Sequence, residues 1–246
     1  MHRPLILGHR GYRARFPENT LRAFQEAHAA GAAGIECDLQ KCAEGRFVII
    51  HDPTTDRVTG VRRNVAAASL VELKSLDFGN GERLPTLEEL LAALPSDSWL
   101  DLELKEETLE PSDAARIAAI LDSHRPRKRL MISSFSPDLL VPFKRKGFTV
   151  GFLVGEEAAA RGIWGFARVL FRLRPQFLNL PVDMLALLGQ QRAGMLFRLL
   201  RALGFALLFW TVNSPADLEI VARHARIIVT DEVELIVKAL SPFTEN

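Results

Sequence analysis

The chain alternates short apolar runs with longer stretches in which apolar residues return every three or four positions, the pattern of strands joined by amphipathic crossover helices. Nine runs read as strands: 5–8 (LILG), 34–40 (GIECDLQ), 47–51 (FVIIH), 99–105 (WLDLELK), 130–135 (LMISSF), 149–154 (TVGFLV), 177–181 (FLNLP), 206–212 (ALLFWTV) and 226–230 (RIIVT). Six residues separate Gln40 from Phe47, too few for a parallel crossover, so 47–51 is expected as an antiparallel arm. Eight parallel strands remain. Eight strand–helix units in 246 residues predict an α/β fold, a (β/α)8 TIM barrel forming one domain over 1–246. It carries a short antiparallel hairpin arm after strand 2 and a small insertion before strand 3.

Helix starts are marked at Pro17-Glu18-Asn19-Thr20, ahead of Leu21, Phe24 and Ala27, and at Pro85-Thr86-Leu87-Glu88-Glu89 and Ser214-Pro215-Ala216-Asp217. The irregular stretch from His51 to Pro85 holds a short helical piece at 69–76. No internal repeat interrupts the pattern.

Composition narrows the classes of function. With 31 basic and 30 acidic residues the net charge is +1, so no global field gathers nucleic acid or an anionic membrane. No uncharged apolar run reaches the ~18–20 residues that span a bilayer, which argues against an integral membrane protein. The start, MHRPLILGHRG, enters an apolar run directly and lacks the features of a signal peptide, giving an expected cytoplasmic location. With a turn expected near Ala43 to Gly45, Cys42 lies beside it and Cys37 faces the far end of the partner strand, and both are read as buried reduced thiols.

Active sites of such barrels sit at the C-terminal strand ends, and the polar residues gather there. Strand 1 ends in Gly8-His9-Arg10-Gly11, strand 2 carries Glu36 and Asp38, the arm ends in His51-Asp52, and strand 3 carries Asp101, Glu103 and Lys105. Alternation along a strand puts Glu36 and Asp38 on one face, opposite Ile35, Cys37 and Leu39, and it groups Asp101, Glu103 and Lys105 likewise. Acids facing a barrel interior carry a heavy desolvation penalty unless paired or bound to a metal. Two readings follow: a divalent-cation site, or a structural network in which Glu36, Asp38 and Glu103 pair with Arg10 and Lys105. A cation on carboxylate oxygens, without a Cys or His cluster at zinc spacing, would be Mg²⁺ or Ca²⁺. His9 and His51 each end an apolar run at the same rim, whereas His2, His28, His124 and His224 read as incidental. Two imidazoles beside a cation and two cationic side chains suit displacement at phosphorus, one His taking a proton and the other giving one.

At these residues the chain resembles the glycerophosphodiester phosphodiesterase family. HRGYRARFPENTLRAF (9–24) is similar to the family's HRG, five residues, PENT opening. IECDLQ (35–40), VIIHDPTTDRVT (48–59), GERLPTLEELL (81–91), LDLELK (100–105), ISSFSPDLL (132–140), FWTVN (209–213) and VTD (229–231) follow in the family's order. The resemblance implies the same barrel, His9 and His51 as acid/base residues, and Glu36, Asp38 and Glu103 as ligands of a divalent cation. It implies Arg10 and Lys105 as phosphate holders, with Phe135 and Trp210 lining the pocket. Asn19 would fix the loop after strand 1, and Glu18 is either a capping acid or a partner of a site residue. The implied reaction is hydrolysis of a small-molecule glycerophosphodiester to sn-glycerol 3-phosphate and an alcohol.

Two departures from the family pattern stand out. Asp101 occupies a position where Asn is frequent, adding negative charge beside the expected metal. The stretch 156–205, rich in apolar residues and Arg, matches little. Its segments 163–173 and 185–203 read as ordinary barrel helices with Arg facing water. Alternatively Trp164, Phe166, Leu170 and Phe171, with Arg161, Arg168, Arg172 and Arg174, form a peripheral lipid contact, making the enzyme a lysophospholipase D. A non-catalytic barrel that binds a phosphorylated metabolite, and a phospholipase that expels its headgroup through a cyclic phosphate, are the competing functions.

Overall fold

The computed structural model describes residues 3–155, 160 and 162–241; His2 and Arg161 therefore lie outside the described residues. The strands are β1 (Leu5–His9), β2 (Gly34–Lys41), β3 (Phe47–Ile49), β4 (Trp99–Leu104), β5 (Leu130–Ser134), β6 (Thr149–Leu153), β7 (Phe177–Pro181), β8 (Ala206–Trp210) and β9 (Ile227–Thr230). Eight of them form a parallel ring in the order β1-β9-β8-β7-β6-β5-β4-β2, closed by the β1–β2 pairing. The expected (β/α)8 barrel is the observed fold, and β3 is the antiparallel arm, standing outside the ring.

Outside the ring, or on the arm, lie α1 (Leu21–Ala29), α2 (Asp56–Thr59), α3 (Leu70–Ser75), α4 (Leu87–Ala93), α5 (Ala114–His124) and α6 (Pro137–Arg145). They are followed by α7 (Gly162–Leu173), α8 (Met184–Leu188), α9 (Gln190–Ala202), α10 (Pro215–Val221) and α11 (Val233–Leu240). The helix starts read from sequence are capped as expected. Thr20 accepts from the Ala23 amide, Thr86 forms a reciprocal box with Glu89, and Ser214 accepts from the Asp217 amide.

Strand ends differ from the sequence reading by one or two residues. The apolar run of the arm continues to His51, but its ladder with β2 stops at Ile49. The 185–203 helix is two helices, broken at Gly189, whose φ of 72° ends α8 before α9 begins.

Alternation on β2 and β4 sorts the side chains cleanly. Ile35, Cys37, Leu39, Leu100, Leu102 and Leu104 pack outward into the layer beneath the helices. Inside the barrel Leu7, Met131, Phe177, Leu208, Ile227 and Val229 form an apolar plug, above which the inward polar residues stand. A separate small core of Val48, Ile50, Val65, Leu73, Phe78 and Leu84 joins the arm to the insertion at 51–85. Cys42 belongs to that second core and Cys37 to the first; both are free and buried.

The foot of β2 leaves no room for a side chain against β4. A Cβ on Gly34 would stand 2.1 Å from the Trp99 carbonyl oxygen of β4. Gly34→Ala is therefore expected to destabilise the protein by about 1–3 kcal/mol, read as a lower urea midpoint. An unchanged midpoint would mean that β2 and β4 do not meet in this register.

Candidate active site

The loop after β1 turns back sharply over the barrel mouth. Arg10 and Gly11 both take left-handed backbone conformations, with φ of 53° and 83°. A Cβ on Gly11 would fall 2.6 Å from the carbonyl carbon of Ala23, so the loop can lie against α1 because that position is glycine. Asn19, also left-handed, donates its amide to the Arg10 carbonyl at 2.9 Å and its side-chain Nδ2 to Asp38 Oδ2 at 2.8 Å. Asn19 thus fixes the loop, as read from sequence, and also holds a carboxylate.

Register sets the acids side by side: His9 is opposite Glu36, Glu36 opposite Asp101, and Asp38 opposite Glu103. Oxygens of Glu36, Asp38 and Glu103, all buried, lie within 4.8 Å of one another. Two cations stand among them. Lys105 Nζ is 2.9 Å from Asp38 Oδ1 and 2.5 Å from Glu103 Oε1, and Arg10 Nε is 3.3 Å from Asp38 Oδ2. Glu36 accepts the Arg10 backbone N–H at 3.0 Å through Oε2, while its Oε1 is buried with no hydrogen-bond partner. The structural ion-pair network weighed from sequence is thus partly present. It leaves four carboxylates, counting Asp101, against two cationic side chains.

Protonation follows from that imbalance. Burial would raise Asp38, but Lys105 and Arg10 outweigh it and hold the carboxyl below its usual range. Burial, then the charges of Asp38, Glu103 and Asp101, lifts Glu36 well above the ordinary carboxylate value. Glu103 is pushed up to about 7 by burial, with Lys105 opposing. Asp101 is likewise pushed up to about 7 by burial, although Ser133 donates to its Oδ1 at 2.6 Å. A divalent cation would reverse these shifts by rewarding the ionised forms. The hard oxygen donors, their spacing and the unpartnered Glu36 oxygen fit such an ion, so Glu36, Asp38 and Glu103 could hold one.

Both imidazoles are held by carboxylates at Nδ1. His9 Nδ1 is 2.7 Å from Asp231 Oδ1, and Asn213 donates to the other oxygen of Asp231 at 2.8 Å. His51 Nδ1 is 2.6 Å from Asp52 Oδ1. Beyond the end of β3 the His51 backbone is fixed by Gln40, whose Nε2 donates to the carbonyls of Ile50, His51 and Asp52 at 3.2, 2.8 and 2.8 Å. Burial, with Lys105 and Arg10 nearby, lowers His51 despite the pull of Asp38 and Asp52. Arg57 on α2 pairs with Asp52 and donates to Glu18 at 2.6 and 3.0 Å, and Glu18 also accepts from Arg10 at 2.9 Å. Glu18 is therefore a bridge between two arginines; the cap of α1 is Thr20.

These groups surround a cavity of about 290 Å³ lined by His9, Arg10, Glu36, His51, Glu103 and Lys105 on one side. Phe135, Leu153, Leu208 and Trp210 form the opposite, apolar side, with the Phe135 and Trp210 rings edge to face at 5.8 Å. All of the sequence-derived site residues except Asp38 line it, and Asp38 lies directly behind, 1% exposed and held by Lys105, Arg10 and Asn19. Sequence reasoning missed Asp231, Asp52 as a partner of His51, Gln40, Arg57 and Asn179. Asn179 lines the cavity, and neither of its buried amide atoms has a hydrogen-bond partner. His28 sits at the opposite end of the barrel beside Ser98, His224 packs on Phe197, and His124 is on an exposed helix end.

Comparison with known proteins identifies the family to which this barrel belongs. Residues 9–235 match the model of the glycerophosphoryl diester phosphodiesterase family, and the chain belongs to that family. A glycerophosphodiester phosphodiesterase of Caldanaerobacter subterraneus subsp. tengcongensis is 29% identical over 95% of this chain and 96% of its own. The crystal structure of the enzyme of that name from Thermotoga maritima matches with a TM-score of 0.82 and 34% identity, covering 97% of this chain and 99% of its own. An Oleispira antarctica phosphodiesterase in complex with its product sn-glycerol 3-phosphate matches with a TM-score of 0.84 and 27% identity, over 97% of each chain.

The raised carboxyls carry a pH signature. Folded Glu36, Asp101 and Glu103 titrate above their unfolded values of about 4, so the folded chain binds more protons across that interval. Their contribution to stability is complete below about pH 4 and lost as the pH rises through about 7. Under chelator, the melting temperature is expected to fall between about pH 4 and 7, and Mg²⁺ or Ca²⁺ to restore more of it at the upper end. A melting temperature that ignores both pH and cation would contradict the buried, unbalanced charge.

Proposed function

We propose that the protein hydrolyses glycerophosphodiesters to sn-glycerol 3-phosphate and an alcohol, with the whole chain acting as one catalytic domain. The observation that carries this reading is a single cavity whose polar wall carries two carboxylate-held imidazoles together with a carboxylate cluster, Arg10 and Lys105.

Glu36, Asp38 and Glu103 would hold a divalent cation, Mg²⁺ or Ca²⁺. When bound, it supplies charge neutralisation to the phosphoryl oxygens. Arg10 and Lys105 add fixed positive charge to the same wall, and their ties to Asp38, Glu18 and Glu103 keep them in place before substrate arrives. Asp231 and Asp52 each take the Nδ1 side of an imidazole, which leaves Nε2 of His9 and of His51 for proton transfer. One takes the proton of the attacking water while the other delivers a proton to the departing alcohol oxygen. Phe135 and Trp210 give the substrate an apolar wall, and Asn179 offers an unpartnered amide for its hydroxyls. A barrel that merely binds a phosphorylated metabolite has no use for two such imidazoles.

A second reading has its own observation. Large apolar side chains are exposed on the flank that follows β6 and β7, which favours lysophospholipids as substrates, in the manner of a lysophospholipase D.

The test is release of glycerol 3-phosphate from glycerophosphocholine with Mg²⁺, Ca²⁺ or EDTA, run beside choline release from lysophosphatidylcholine. Turnover of the soluble diester that EDTA abolishes is expected, and silence on both substrates would leave a binding protein. His9→Ala and His51→Ala are each expected to lower kcat by about 10²–10⁴-fold. A double variant with full activity would sink the assignment. Asp231→Asn is expected to lower kcat with KM nearly unchanged, because it alters the His9 imidazole and not the phosphate wall.

A further inference from the structure

Nine large apolar side chains are exposed among the described residues, and six of them, Trp164, Phe171, Leu187, Met195, Leu199 and Leu203, fall between 164 and 203. Trp164, Leu187 and Phe171 are 86%, 84% and 76% exposed, so their rings and methyls stand in water. The sequence reading of 163–173 and 185–203 as ordinary barrel helices holds for Leu173, Ala193, Phe197 and Leu200, which are buried. It does not account for the outward faces. On α7 the outward stripe runs Trp164, Arg168, Phe171, and on α9 it runs Arg192, Met195, Leu199, where a solvated helix carries polar residues.

Charge marks the same two helices. Together α7 and α9 carry five arginines and no acidic residue, whereas α1, α4, α5, α6, α10 and α11 each carry at least one Asp or Glu. Within the exposed face Arg172 has one acidic partner, Asp138 of α6, at 3.1 Å. The basic, apolar flank belongs to a chain of net charge +1, so it is a local concentration and not an overall bias.

We propose that this flank docks on an anionic lipid bilayer. Exposed Trp, Phe and Leu interleaved with Arg, on helices free of acid, have the composition of an interfacial surface. A second copy of the chain fits less well, since a two-fold contact would bring the same arginines face to face. Single-stranded nucleic acid would need stacking partners, and four of the six apolar groups are aliphatic.

Position links the flank to the cavity. Trp164 lies in the first turn of α7, after β6, and Leu187 lies in α8, after β7. Both are therefore at the C-terminal end of the barrel, where the cavity opens. The cavity wall on that side is the apolar one, with Leu153 of β6 and Trp210 of β8, while the carboxylates stand across on β2 and β4. Docking sets the apolar wall beside the lipid and leaves the carboxylates and imidazoles away from it. The proposal concerns binding and holds or fails independently of the hydrolytic reading.

The experiment is co-sedimentation of the full chain with phosphatidylcholine vesicles prepared with and without phosphatidylglycerol. The wild type is expected to partition onto the phosphatidylglycerol vesicles, more weakly in high salt, with a blue shift of tryptophan emission. A Trp164→Ser/Leu187→Ser variant is expected to bind at least about tenfold less, to lose most of the blue shift, and to keep its melting temperature and its turnover of glycerophosphocholine. Absence of binding to phosphatidylglycerol vesicles, or equal binding by the variant, would overturn the proposal. So would a lipid-free dimer, seen by sedimentation velocity, that the same variant dissociates.

Discussion

Four carboxylates buried at one end of a barrel, facing two cationic side chains, are the constraint around which the mouth of this protein is organised. Like charges this close cannot all ionise in a poorly hydrated interior, and the fold answers unevenly. Asp38 receives both cations and the Asn19 amide and stays ionised. Glu36, Glu103 and Asp101 are left short of positive charge and drift toward the protonated form. The remaining deficit is of the size and the donor type that one hard divalent cation satisfies.

Much of the surrounding structure serves to keep that arrangement rigid. The left-handed turn at Arg10 and Gly11 aims one guanidinium inward, and Glu18 ties it to Arg57 of the insertion. Arg57 in turn holds Asp52, the partner of His51. Gln40, on the inward face of β2, pins three successive carbonyls of the arm. The arm and the insertion, which share a small core of their own, thus bring the second imidazole to the same cavity as the first without contributing to the ring.

The barrel was legible because its signals are local. Period-two alternation on β2 and β4 sorts Glu36, Asp38, Asp101 and Glu103 to one face whatever else the chain does. The six-residue gap after Gln40 forces an antiparallel arm. His9, Arg10 and His51 sit at the ends of apolar runs, where barrel chemistry gathers. The groups that orient them were hidden for the opposite reason. Asp231 meets His9 across 222 positions and Arg57 meets Glu18 across 39, and nothing in the intervening sequence fixes those pairings. Asn179 looked like one polar residue in an apolar strand, and its lack of partners is visible only once the cavity exists. The outer faces of α7 and α9 stayed open between two readings, because an apolar outer stripe adds to the helical period without showing which stripe is buried.

The central claim is that Glu36, Asp38 and Glu103 form a single cation site within reach of both imidazoles. It is tested most directly by an anomalous difference map from crystals grown with Mn²⁺ and glycerol 3-phosphate. A single strong peak within coordination distance of all three carboxylates, with the phosphate between it and His9 and His51, is the predicted result. A peak elsewhere, or an Mn²⁺-soaked crystal in which Lys105 and Arg10 alone neutralise the three acids, would contradict it.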